Sequence, residues 1–100
     1  MIKQKFYNHK IRYCSIMEDF INDRITGQEF QIKFFEIWRF DRDNKCVLER
    51  EENFQKFSHL MNEVFIDCDL FELCPEGELE ISEDELKRRV KIALLEVQLL

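Results

Sequence analysis

Phe20-Ile21-Asn22-Asp23-Arg24-Ile25-Thr26-Gly27-Gln28-Glu29-Phe30 holds the end of one helix and the start of the next. Thr26 followed three residues later by Glu29 is a capping box: hydroxyl and carboxylate each take a backbone N–H that the first helical turn leaves unbonded. Upstream, Tyr13, Met17, Phe20, Ile21 and Ile25, with Cys14 beside them, recur at spacings of three and four. That spacing predicts a helix over 9–25 that stops near Thr26-Gly27. Downstream, Phe30, Phe34, Ile37 and Trp38, widened by Phe35, predict a second helix that ends near Asp41. A connection this short makes the two helices antiparallel neighbours.

The same reading extends to the rest of the chain. Residues 41–53 lack periodicity and read as a solvated connection into a third helix, whose stripe is Phe54, Phe57, Leu60, Met61, Val64, Phe65 and Cys68 and whose end falls near Phe71. Cys74-Pro75-Glu76-Gly77 is loop chemistry, because proline disfavours a helical residue before it and glycine tolerates positive φ. Ser82 with Glu85 makes a second capping box. A fourth helix follows, with Leu86, Val90, Ala93, Leu94 and Val97 inward and Lys87, Arg88, Arg89 and Lys91 on the solvent side. Apolar residues make up 45% of the 100 residues and ten are Phe, which is ample material for one core. Two Gly and one Pro are too few turn formers for a barrel or sandwich of short strands. The expected fold is all-α, a compact antiparallel four-helix bundle forming a single domain over residues 1–100.

Charge is distributed unevenly. The net charge is −6, yet residues 1–56 hold eleven Lys/Arg against ten Asp/Glu, and residues 87–100 hold four against one. Between Lys56 and Lys87 there is no Lys or Arg, while ten acids crowd the strip from Glu63 to Glu85. Nucleic-acid binders carry a basic stripe that displaces counterions from phosphates, and here the sign is reversed, so direct nucleic-acid binding is not expected. Glu83, Asp84 and Glu85 sit where a helix start favours negative charge, an ordinary structural role. Asp67, Asp69, Glu72, Glu76 and Glu78 fall around the end of the third helix, where the dipole disfavours it, and in the loop beyond. A dense anionic patch repels itself unless a cationic surface meets it, so these five are the candidate binding residues and a basic cleft is the candidate partner.

Other chemistries find little support. Counted from Asp67, an EF-hand loop would need Gly where Glu72 stands, and Pro75 occupies a ligand position. His9, Cys14, Cys46, His59, Cys68 and Cys74 do not pair at zinc-finger spacing, so neither a metal nor another cofactor is expected. Cys14 and Cys68 lie on helical stripes and read as small core hydrophobes. No phosphate loop, nucleophile elbow or metalloprotease motif is present, and His59 stands without an evident nucleophile, so the chain reads as no enzyme. No apolar run is long enough for a bilayer and Met1-Ile2-Lys3-Gln4-Lys5 lacks the core of a signal peptide, which makes no membrane contact and a cytoplasmic location the expectation. An alternative is an acidic helical adaptor that docks a partner groove through Trp38 or Phe40.

Three stretches in this order resemble the colicin D immunity family. They are Phe20 to Phe30 running on to Ile37-Trp38, then Val64-Phe65-Ile66-Asp67-Cys68-Asp69-Leu70-Phe71, then Ile81-Ser82-Glu83-Asp84-Glu85-Leu86, and the likeness spans about residues 11 to 97. The resemblance implies a four-helix bundle whose acidic surface plugs the basic active-site cleft of a toxin nuclease, typically a tRNase of a colicin or contact-dependent inhibition system. It places the inhibitory acids at Asp67, Asp69 and Glu72, with Glu76 and Glu78 in the following loop.

Overall fold

The computed structural model describes the backbone of residues 2–43 and 52–100 and the side chains of residues 10–41 and 55–100. Four helices run α1 Ile2–Ile21, α2 Gly27–Asp43, α3 Glu52–Leu70 and α4 Glu83–Gln98. Most of the expected 41–53 connection, with Cys46 in it, lies outside the described residues, as do the side chains of His9 and Phe54.

Contacts between helices fix their directions. Along α1, Tyr13 meets Phe34 at 5.3 Å between ring centroids and Phe20 stacks on Phe30 at 4.8 Å, so α2 runs back along α1. Trp38 and Phe35 both reach Phe65, while the Gln31 amide nitrogen donates to the Cys68 carbonyl at 2.6 Å, which makes α3 antiparallel to α2. Asp67 joins Arg89, and the start of α3 at Gln55 lies with the end of α4 at Glu96. Lys87 of α4 reaches Asp23 at the end of α1, which closes the ring of four. The fold is the expected all-α antiparallel four-helix bundle.

The core is built from the expected stripes. Phe20, Phe30, Phe34, Met17, Val64, Cys68, Leu86, Val90 and Val97 are fully buried, and Phe57 and Met61 nearly so. Each buried Phe, Leu or Met contributes about 1.5–3 kcal/mol of transfer free energy. Tyr13 is buried as well, and its hydroxyl donates to the Asp41 carboxylate at 2.9 Å, which also accepts from Arg12 at 2.9 Å. Burial and the neighbouring Asp41 push the phenol well above its ordinary pKa, so it stays a neutral donor.

The first helix departs from its expected bounds at both ends, starting at Ile2 rather than residue 9, and one capping box is incomplete. α1 ends at Ile21, four residues before Ile25, because Asp23 takes a left-handed conformation with φ of 61°. The Arg24 N–H then donates to the Asp19 carbonyl at 2.8 Å and the Asp23 N–H to the Phe20 carbonyl at 3.1 Å, the two closing bonds of a Schellman cap. Ile25 continues the apolar stripe from a turn rather than from a helix, half-buried against the core. At α4, the Ser82 hydroxyl accepts from the Glu85 N–H at 3.2 Å as expected, but the Glu85 carboxylate turns to Arg88 and Arg89. The Thr26–Glu29 box is complete, with both reciprocal bonds at 3.1 Å.

Gly27 opens α2 where three elements meet. Its N–H donates to Oε1 of Glu83 at 3.2 Å, and a Cβ added here would lie 2.8 Å from the ring of the buried Phe71 and 3.1 Å from Glu83 Cγ. The absence of a side chain is what lets the α2 and α4 starts approach. Gly27→Ala should therefore destabilise the protein by about 1–3 kcal/mol through overpacking, despite alanine's better helix propensity. Urea denaturation of the two proteins measures this, and an unchanged midpoint would show that Phe71 can move aside.

Candidate functional site

The acidic strip is assembled by the way α3 ends. After Leu70 the chain leaves the helix, and Phe71 is buried and forms an isolated parallel bridge with Ile81. Within it the Ile81 N–H donates to the Leu70 carbonyl at 2.9 Å and the Glu72 N–H to the Ile81 carbonyl at 3.0 Å. Two apolar side chains thus bind the loop's ends to the core and hold them together. Residues 72–80 between them form a compact loop at the end of the bundle where α3 stops and α4 begins.

Glu80 orders the loop from inside. Its Oε1 accepts from the Gly77 N–H at 2.7 Å and from the Glu76 N–H at 3.2 Å, while its own N–H donates to the Gly77 carbonyl at 3.3 Å. Gly77 to Glu80 repeats the spacing of Thr26 to Glu29, a carboxylate reaching back three residues to a free N–H. That repetition is the signal by which the sequence could have marked Glu80 as a staple.

The five candidate residues divide into two groups. Asp69, Glu72, Glu76 and Glu78 are exposed, and none of their carboxylates makes an ion pair among the described residues. Asp67 differs: it accepts from Arg89 at 2.9 Å and its side chain is only 16% exposed. Arg89 also donates to Glu85 at 2.9 Å, so one guanidinium ties the third helix to the first turn of the fourth. Arg89 thus stays at the surface of α4, as expected, but reaches across to α3. Lys87 is likewise engaged with Asp23, while Arg88 holds Glu85 through two nitrogens. The sequence reading also passed over Leu73 and Leu79, which are 57% and 79% exposed among the loop's acids.

The remaining candidates fall into ordinary structural places. Cys68 is buried and its thiol is pushed far up in pKa by desolvation, and Cys14 is half-buried with a shift in the same direction. His59 pairs with Glu63 at 3.2 Å on the surface. Trp38 is half-buried, its ring centroid 4.6 Å from that of Phe65, whereas Phe40 is exposed with the Arg12 guanidinium over its face. Among the described residues no three His, Cys, Asp or Glu side chains converge where they could hold a metal ion, and no helix is long and apolar enough to cross a membrane.

Two carboxylates of the site respond to pH in opposite senses. Hydrogen bonds from Arg88 and then Arg89 lower the pKa of Glu85 to about 2, from an ordinary 4.5. Burial raises that of Asp67, and the hydrogen bond from Arg89 does not fully offset it. A depressed carboxyl pKa stabilises the fold fully above the unfolded value and loses that contribution as pH falls through the folded one. The stability gap between the protein and Glu85→Gln should accordingly be full at neutral pH, shrink from about pH 4.5 and vanish near pH 2. Denaturation at several pH values checks it, and a gap independent of pH would mean that Glu85 acts by packing alone.

Compared with known proteins, a family model described as bacterial self-protective colicin-like immunity matches residues 9–97. No curated protein and no solved structure matches the chain. The matched stretch takes in the capping box at Thr26, the end of α3, the stapled loop and nearly all of α4. This chain therefore belongs to the bacterial self-protective colicin-like immunity family, whose members neutralise toxins.

Proposed function

We propose that this protein binds and neutralises a toxin nuclease, a tRNase of a colicin or contact-dependent inhibition system, by seating its acidic end in the toxin's basic cleft. The observation that carries this reading is the set of four exposed carboxylates, Asp69, Glu72, Glu76 and Glu78, around a loop ordered by the Phe71–Ile81 bridge and by Glu80. A nuclease cleft binds a phosphate backbone through Lys and Arg, so an ordered anionic surface competes for the same groups. Asp67 supports it by joining Arg89 and keeping the end of α3 against α4. The action is stoichiometric inhibition rather than catalysis, and its place is the cytoplasm, where tRNA is cut.

Preorganisation matters because ordering a loop on binding would subtract from affinity. Charge at the rim of such an interface acts chiefly on the encounter rate, so association should slow as salt rises.

Co-expression with the toxin domain encoded beside this chain tests the reading, with growth and tRNA integrity as readouts. Growth with intact tRNA is expected. Growth rescue from a toxin that leaves tRNA untouched would retain immunity and change the substrate. The double variant D69K/E72K should lose protection while keeping its helical circular dichroism and its denaturation midpoint. If it protects as well as the parent, the acidic end is not the contact surface.

A further inference from the structure

The outer face of α4 carries an apolar stripe that the bundle does not use. Ile92, Leu95 and Leu99 are 46%, 56% and 86% exposed, and their spacings of three and four place them on one line, opposite the buried Leu86, Val90, Ala93 and Val97. Leu99 caps the helix with helical backbone angles, so the line continues through it. Lys91 and Glu96 flank the line on opposite sides, both exposed, and neither side chain forms an ion pair among the described residues.

We propose that this face is a self-association surface, on which the α4 helices of two copies lie parallel. In heptad terms Ile92 and Leu99 occupy a and Leu95 occupies d, the β-branched and γ-branched assignment that favours two strands. Lys91 then takes g and Glu96 takes e, five residues apart, the offset at which g of one parallel helix meets e of its partner. The two-fold arrangement makes that Lys–Glu pair twice. An antiparallel pairing that overlays the apolar line would bring Glu96 against Glu96 and make no Lys–Glu pair, while Arg88, at the d position before Ile92, is already held by Glu85 of its own helix, so the flanking charges favour the parallel arrangement.

Three apolar side chains a copy fall well short of the roughly 800 Å² per partner of a standard interface. The pair is therefore weak and forms at high protein concentration. Its contacts lie in the C-terminal half of α4, whereas the stapled loop precedes the helix's N-terminus, so the acidic ends of both copies stay uncovered and point the same way. The proposal does not depend on what the acidic end binds.

Sedimentation equilibrium on the full chain up to millimolar concentration tests this. The average mass should rise from the 12.3 kDa monomer toward twice that value. Lys91→Glu and Glu96→Lys should each remain monomeric, because each places like charges across both flanks. Mixed one to one, the two variants should associate with each other, since both flanks then pair opposite charges. A parent that stays monomeric throughout overturns the proposal, as does self-association that single charge reversals leave unchanged or a mixture that stays monomeric. Circular dichroism of both variants separates loss of pairing from loss of fold.

Discussion

The start of α4 can approach the start of α2 because residue 27 has no side chain, and the site depends on that junction. There the start of α2, the residue after α3 and the first residue of α4 share a space that has no room for a Cβ. Glu83 spans the junction by accepting the Gly27 N–H, and Phe71 fills it from the other side. Because Phe71 is also one half of the bridge to Ile81, the packing at Gly27 and the closure of the acidic loop are one event. The loop is thus ordered by the same apolar burial that closes this end of the bundle, with Glu80 adding local hydrogen bonds.

Electrostatics at this end follow from which acids the fold engages and which it leaves alone. Glu83 is taken by a backbone N–H, Glu85 by Arg88 and Arg89, Asp67 by Arg89, and Glu80 by the amides of its own loop. Four of the ten acids in the strip are thereby neutralised or given structural work. Glu63 is paired with His59 and Asp84 is exposed on the first turn of α4, so what projects around the loop is Asp69, Glu72, Glu76 and Glu78, with Leu73 and Leu79 among them. Apolar side chains ringed by like charges suit a surface that closes against a partner better than one that stays in water, since desolvated anchors carry most binding energy and rim charges set the rate of encounter.

Much of the fold was legible because it rests on local rules. The three-and-four spacing named nearly every buried residue of α2, α3 and α4, and the Thr26–Glu29 box located the start of α2 to the residue. The end of α1 was missed for a local reason of another kind: an aspartate adopts the left-handed conformation that glycine usually takes, so no glycine marks the stop. At the site, the position of the acids was readable and their division was not. Asp67 and Asp69 are two residues apart with the same side chain, yet one meets Arg89 and the other meets solvent.

By itself the amino-acid sequence determined that this chain makes four amphipathic helices, that its excess negative charge falls where α3 gives way to α4, and that its segments follow the order of an immunity family. These depend on periodicity, caps and counts, which act over a few residues. Only the tertiary structure decided which acids stand free, that Phe71 and Ile81 draw the loop shut, and that Arg89 reaches across to Asp67. Those outcomes depend on groups ten to more than fifty residues apart meeting in space, a separation at which neither helical spacing nor capping rules hold information.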